Sequence, residues 1–448
     1  MLKRKAWDLL ETWFDTKLAL IVFGSRQVGK TCLISNFLKE KYGNNVYTLN
    51  FHENTEAIET LLLSKNVSNF FLRLTALENE IVLEDDTCIF IDEVQEYYNY
   101  ISKHHVEKYF DIISETKYIS EKTNHRIVLS GSLLRLEMDE LITNPEGYLY
   151  PVEMYPMDFE EFLWADRVDP RLISVAKECF EKREEIPGFI HDLFLKEYQK
   201  YVLVGGMPNA VNEFVTKNSF QALEVAHKAI EYYISKDITK YAEDDEKLKI
   251  KEIYRLIPTE LSSPSRKFFI SHIPDSARNN REVLSFAWLN KAGVAISCYI
   301  VDEPVVPLLA SSKRNQFKLF HEDVGLLGHM LLDSEAKIKI LNGDLVINLG
   351  ALYENSVAQQ LYANETDSLY YYNSKKYGEV DFLIEKYGEV IPIEVKSGKN
   401  YTHRALNNIM DIPNYHLRKA ICLYNGNLKQ DGNVLYAPIY CVMFVSLF

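Results

Sequence analysis

Apolar residues in this chain fall into short unbroken runs separated by longer stretches with a helical repeat. Leu18-Ala-Leu-Ile-Val-Phe23, Thr87-Cys-Ile-Phe-Ile91 and Arg126-Ile-Val-Leu-Ser-Gly131 are such runs, and Asn45-Val-Tyr-Thr-Leu-Asn-Phe51 is a fourth. Runs this short, bounded by turn residues, predict strands buried on both faces. Between them, residues 1–16 predict a short amphipathic helix and 29–41 a second. Residues 55–84 predict a third, with Leu61, Leu62, Leu63, Phe70, Phe71 and Leu74 on its apolar face, and a fourth lies near 103–118. Strands alternating with helices predict a parallel sheet covered on both sides.

Further along, the pattern changes. Pro156 ends a strand, and Asp158 is placed to cap a helix opening at Phe159. Helical periodicity then runs to about 245, broken by the chain reversal Gly205-Gly-Met-Pro208. Residues 246–310 are helix-rich. Leu284 to Gly293 predicts a helix with a glycine stop, followed by a strand from Val294 to Ile300. Three helices and a hairpin predict a winged-helix-like module, which could bind DNA or join domains. Leu349 to Leu361 predicts one more helix. Tyr377 to Ile384 and Val390 to Lys396 predict a hairpin turning at Lys386-Tyr-Gly-Glu389. The fold class is therefore α/β. We expect a parallel-sheet core over 1–155, a helical lid over 156–245, the winged-helix-like module over 246–314, and a C-terminal α/β domain over 315–448.

Composition narrows the picture. A chain of 448 residues with 47% hydrophobic content can bury several cores. Its net charge of −14 gives no global basic field and argues against non-specific wrapping of nucleic acid. A local basic groove is still allowed. The six cysteines have no metal-type spacing, so free thiols in a reducing cytosol are expected, with Cys32 and Cys88 as small core residues. Asp8, Glu11 and Asp15 interrupt any signal-like apolar stretch after Met1. No apolar run reaches about eighteen residues, so no membrane partner is expected.

The first apolar run leads into Gly24-Ser-Arg-Gln-Val-Gly-Lys-Thr31. A buried strand, a glycine-rich turn and a helix opening at Gly29 aim several backbone N–H groups at one point, where phosphate oxygens are favoured. Gly24, Ser25, Arg26, Gln27, Val28, Gly29, Lys30, Thr31 and Cys32 are the phosphate-site residues. Lys30 would reach the β- and γ-phosphates, and the Thr31 hydroxyl would hold Mg²⁺. The run from Thr87 ends in Asp92-Glu93. An acid at such a strand end can hold the Mg²⁺ shell, and the following Glu93 can act as general base toward water. Ser130 and Ser132 end the fourth run. Either they sense the γ-phosphate or they only close a strand. Arg135 is either an arginine finger or a surface ion-pair residue.

A second constellation lies near the C-terminus. The strand repeat of two puts Glu394 and Lys396 on one face, and the hairpin return can bring Asp381 beside Glu394. Two adjacent carboxylates favour a divalent cation. Lys396 could then orient water or stabilise a pentavalent phosphate, and Glu354 on the upstream helix could be a further metal ligand.

These motifs, with Ser130-Gly-Ser132, Gly205-Gly-Met-Pro208, Lys318-Leu-Phe-His-Glu-Asp323 and Gly378-Glu-Val-Asp381, occur in a fixed order along nearly the whole chain. That order resembles prokaryotic AAA-family ATPases with a C-terminal restriction-endonuclease-like domain of the PD-(D/E)xK type, whose function is poorly defined. The resemblance implies ATPase roles for Lys30, Thr31, Asp92 and Glu93, and nuclease-type roles for Glu354, Asp381, Glu394 and Lys396. One departure is Val380, which stands where that pattern has proline before Asp381. ATP and Mg²⁺ are the implied cofactors, with Mn²⁺ an alternative at the C-terminal site. DNA and a second copy of the chain are the macromolecular partners this reading allows, in the cytoplasm. The functional alternatives are an ATPase coupled to metal-dependent DNA binding or cleavage, a nucleotide-driven switch whose nuclease-like domain does not cut, and a plain NTPase with a structural tail.

Overall fold

The computed structural model describes residues 2–77, 86–132, 147–241, 247–263, 268, 282–364, 366, 368–397 and 403–448. Two compact units divide the chain, Lys3–Tyr155 and Pro156–Phe448.

In the first unit, β1 (Ala19–Phe23), β2 (Val46–Asn50), β3 (Cys88–Asp92), β4 (Arg126–Gly131) and β5 (Leu149–Glu153) form one sheet in the order β2-β3-β4-β1-β5. Every pairing is parallel. A parallel sheet of this kind must exclude water from both faces, which is why these strands read as continuous apolar runs. Ile21, Leu49, Ile89, Ile91, Ile127 and Leu129 form part of one core cluster with Phe51, Phe70 and Tyr97. Because the strands are parallel, the ends of β1, β3 and β4 lie along one edge of the sheet, where ligands of open α/β sheets bind.

Two helix expectations change. The stretch from 55 is two helices, Thr55–Leu62 and Val67–Leu77, and residues 78–85 lie outside the described residues. The helix expected near 103–118 is also two, Gln95–Lys103 and Ile112–Lys122. Phe110 is buried between them, and the Asp111 side chain accepts the Ser114 N–H to cap the second helix. Cys88 is buried, but Cys32, expected in the core, is exposed. In its helix, Lys30–Tyr42, the buried positions are Lys30, Leu33, Ile34, Phe37 and Leu38, which leaves Cys32 on the wet face. All six cysteines are unpaired thiols. Arg135 lies outside the described residues.

The second unit begins with helices Phe159–Ala165, Pro170–Lys182, Gly188–Val204, Pro208–Lys217, Phe220–Tyr241, Lys247–Ser262 and Glu282–Lys291. Asp158 and Glu161 form a reciprocal capping box at the start of the first. Strands β6 (Ala295–Val301), β7 (Ser312–His321), β8 (Leu369–Ser374), β9 (Gly378–Lys386), β10 (Glu389–Val395), β11 (Ala420–Tyr424), β12 (Lys429–Asp431) and β13 (Val434–Pro438) form a mixed sheet. Its order is β12-β13-β11-β10-β9-β8-β6-β7. This corrects the expected winged-helix-like module over 246–314. Its strand, β6, is antiparallel to β7 and parallel to β8, so the hairpin is one flank of the C-terminal sheet. An apolar strand buried along nearly its whole length needs a hydrogen-bonded neighbour on each side.

The turn between helices at Gly205 and the segment ending at Asp323 meet. Asp323 is fully buried, and its carboxylate accepts the Gly206 N–H at 2.6 Å and the Leu326 N–H at 3.0 Å. The second bond caps helix Val324–Leu331. The backbones approach so closely that a Cβ at Gly325 would overlap the Val204 carbonyl, and one at Gly206 the Met157 carbonyl. Among the described residues no helix is long and apolar enough to cross a membrane.

Asp323→Ala would leave two buried N–H groups unpaired and should destabilise the protein by about 3 kcal/mol in urea unfolding. Asp323→Asn, which keeps an acceptor, should lose much less. Equal losses in the two variants would assign the effect to side-chain volume rather than to hydrogen bonding.

Candidate functional site

The loop after β1 is built from backbone conformations that few residues adopt. Gly24, Gln27 and Gly29 all have positive φ, at 141°, 66° and 93°. Gly24 has no room for a side chain, because a Cβ would overlap the Met154 carbonyl. Gly29 is the left-handed N-cap of helix Lys30–Tyr42, so the first helical N–H groups point into the loop. Lys30 is buried, and its Nζ donates to the carbonyls of Gly24 at 2.9 Å and Ser25 at 2.8 Å. Arg4, on the segment before β1, donates to Val28 O at 2.7 Å and Tyr155 O at 2.6 Å, which braces the loop from behind.

The acidic strand end meets this loop. Thr31 Oγ1 donates to Asp92 Oδ2 at 2.8 Å. The hydroxyl of Ser130 and the N–H of Glu93 both donate to Asp92 Oδ1. The Asp92 carboxylate and the Thr31 hydroxyl are oxygen donors suited to a hydrated Mg²⁺. Glu93 has φ +56°, an uncommon value for a residue with a side chain. The Gln95 amide donates to the Glu93 carboxylate and, at 3.5 Å, to Ser132 Oγ. Ser130 and Ser132 therefore both touch the acidic strand end, Ser130 through Asp92 and Ser132 through Gln95. The sequence reading missed Arg4 and Gln95. For Gln95 the available signal was an amide two residues beyond the acid pair, and for Arg4 there was none.

In the second unit, Asp381 on β9 and Glu394 on β10 come together as the hairpin predicted. The Val395 N–H donates to Asp381 Oδ2 at 2.8 Å, and Lys396 Nζ donates to Glu394 Oε1 at 2.5 Å. Both carboxylates, with Glu379 and Lys396, line a cavity of about 640 Å³, together with Asn348, Ala351 and residues Leu261 to Ser263. Glu394 is 4% exposed, and its Oε2 is buried without a hydrogen-bond partner. Burial, followed by the neighbouring Asp381 charge, pushes the Glu394 carboxyl up to about 8. Burial opposes the charge on Lys396, but Glu394 and Asp381 outweigh it and hold the ammonium above its usual value.

Glu354, expected as a metal ligand, is not among the cavity-lining residues; it accepts a hydrogen bond from Lys318 Nζ at 2.7 Å. Among the described residues, no group of three or more His, Cys, Asp or Glu is arranged to hold a metal ion. A buried oxygen of Glu394 with no donor beside Asp381 still fits a cation held by two carboxylates and completed by water, as Mg²⁺ commonly is. Lys375, Lys376 and Arg404 are exposed, and Lys399 lies outside the described residues.

Comparison with known proteins fits the first site. Residues 16–163 match the family model of the AAA domain. Residues 195–337 and 349–442 match two domains of unknown function, DUF8612 and DUF4143. The N-terminal part of the chain is thus an AAA-type P-loop ATPase domain, a fold that binds ATP. No curated protein matches the chain. Among solved structures it is similar to the Walker-type ATPase of Pyrococcus abyssi at 16% identity, covering 74% of this chain and 96% of that one, with a TM-score of 0.44. It is also similar to Drosophila ORC bound to DNA, at 13% identity, 77% and 97% coverage and a TM-score of 0.30. A third is the STAND protein with a tetratricopeptide repeat sensor from Pyrococcus horikoshii, at 13% identity, 82% and 46% coverage and a TM-score of 0.26.

The Glu394 environment predicts a pH dependence. Its folded-state value lies above that of the unfolded chain, so the folded protein keeps this proton between about pH 4.5 and 8 while the unfolded chain has lost it. Stability therefore falls as pH rises through that window. Urea midpoints in EDTA should decline from pH 6 to pH 8 in the wild type, and less steeply in Glu394→Gln. Identical slopes would place the titrating group elsewhere.

Proposed function

We propose that the N-terminal unit hydrolyses ATP with Glu93 as general base, and that the C-terminal carboxylates form a divalent-cation site acting on nucleic-acid phosphodiesters. The observation that carries the first half is the 2.8 Å hydrogen bond from Thr31 Oγ1 to Asp92 Oδ2, which joins the phosphate loop to the acidic strand. Thr31 and Asp92 would hold Mg²⁺ there, and it would supply neutralisation of the charge developing on the phosphate. Lys30 exchanges the carbonyls of Gly24 and Ser25 for phosphate oxygens, a stronger charge-assisted pairing. Glu93 takes the proton of the attacking water once its carboxylate leaves Gln95. Ser130 holds Asp92 in place throughout.

The second half is supported by the unpartnered Glu394 oxygen in the cavity and by the exposed bases Lys375, Lys376 and Arg404, which suit a phosphate backbone. The nucleotide-driven switch is the second reading. The net charge of −14 favours it, because an enzyme acting on DNA usually presents a basic approach surface.

Lys30→Ala should weaken ATP binding at least tenfold in a calorimetric titration, and an unchanged affinity would remove the loop assignment. Glu93→Gln should keep ATP affinity and slow turnover by roughly 100-fold; normal hydrolysis would remove Glu93 as base. Plasmid DNA with Mn²⁺ should be cut by the native chain and left intact by Asp381→Ala. Absence of cutting by the native chain, with ATP hydrolysis preserved, would replace the nuclease reading with the switch.

A further inference from the structure

Lys318 lies inside the C-terminal acidic cluster, and neither half of the function proposed above gives it a task. It sits on β7 within an apolar run, Phe317-Lys-Leu-Phe320, and its side chain is fully buried. Its Nζ is 2.7 Å from Glu354 Oε1, 2.8 Å from Glu379 Oε1 and 3.9 Å from Asp381 Oδ1, and 5.1 Å from the Tyr371 ring centre. A buried ammonium survives only where anionic oxygens replace its water, and two carboxylates within hydrogen-bond distance do so here.

The carboxylates of the cluster then divide into two sets. Glu354 and Glu379 face Lys318, and Glu379 also accepts a hydrogen bond from the Asn373 amide. Asp381 gives one oxygen to the Val395 N–H, and Glu394 gives one to Lys396. Asp381 Oδ1, at 3.9 Å from Lys318, and Glu394 Oε2, buried with no donor, are what the cluster offers a further cation. Among the described residues, and with all groups ionised, these four carboxylates and two ammonium groups leave two negative charges. One divalent ion cancels them. A second would leave the cluster positively charged around a buried lysine, at a separation where like charges repel strongly.

We propose that the Lys318 ammonium is a built-in cation that takes the place of a second metal, so that the C-terminal site accepts a single divalent ion between Asp381 and Glu394. The proposal rests on the reading that these two carboxylates hold a divalent cation, and it makes the site a one-ion rather than a two-ion centre.

The test is the number of Mn²⁺ ions bound per full-length chain, measured calorimetrically without nucleotide in wild type, Asp381→Asn, Lys318→Met and Lys318→Arg. Comparison with Asp381→Asn subtracts ions held elsewhere, including any at Thr31 and Asp92. Wild type should exceed Asp381→Asn by one ion, Lys318→Met should exceed wild type by one, and Lys318→Arg should match wild type. A wild-type excess of two ions overturns the proposal and leaves the cation reading standing. So does an excess of one with no gain in Lys318→Met, or an equal gain in Lys318→Arg. No excess at all overturns the cation reading and the proposal with it. Should Lys318→Met fail to fold, the excess of wild type over Asp381→Asn decides alone: one ion supports the single-ion site, and none or two overturns it.

Discussion

The nucleotide site depends on how a buried carboxylate is satisfied. Asp92 is 2% exposed, and its oxygens are met by Thr31 on the phosphate loop, Ser130 on β4 and the N–H of Glu93 on its own strand end. Removing any one donor would leave the carboxylate less well compensated in a dry setting, at a cost of about 1.5–3 kcal/mol. The same requirement therefore fixes the loop, the acidic strand and the strand between them. In the sheet order β4 lies between β3 and β1, so a serine at its end is placed to bridge them. Glu93 follows directly, and its left-handed backbone turns its carboxylate toward Gln95 while Val94 N–H bonds Ser130 O. Strain at the candidate base is thus held by bonds made on either side of it.

What the sequence reveals about this unit is what local chemistry decides. A strand, a glycine turn and a helix opening are contiguous, so Gly24 to Thr31 can be read without knowing the sheet. Asp92 and Glu93 are legible for the same reason, as acids closing an apolar run. Partner choice is not local. The apolar pattern of β6 identifies a buried strand but cannot say that β8, beyond four intervening helices and an edge strand, is its parallel neighbour. The helix boundary near 103–112 was hidden because no Gly or Pro marks it; Asp111 caps the second helix and Phe110 anchors the turn in the core. Gly205-Gly206 and Lys318 to Asp323 each read as a separate motif, and only the fold shows that Asp323 closes one onto the other.

Polar residues whose importance comes from packing were the hardest to read. Gln95 looks like an ordinary first-turn helix residue until its amide is seen on Glu93. Lys318 interrupts a run of apolar residues, which at an exposed position would be a solvated edge charge. Its full burial turns the same residue into a member of the carboxylate cluster. Asp381, Glu394 and Lys396 could be paired in advance because a tight hairpin converts sequence spacing into spatial register.

The two buried lysines differ in the partners described for them: backbone carbonyls for Lys30, carboxylates for Lys318. Lys30 donates to two backbone carbonyls of its own loop, those of Gly24 and Ser25. On the proposed reading, a phosphate would offer that ammonium charged oxygens, a stronger pairing than a carbonyl gives. Lys318 faces the carboxylates of Glu354 and Glu379 with no exposure to water. Removing Lys318 from those partners would strand the buried Glu354 carboxylate, which holds the ammonium in place. Lys396, about a third exposed and bonded to Glu394, lies between these cases and lines the cavity beside Asp381. A lysine's place in either mechanism follows from the charge on its resting partners and their access to water.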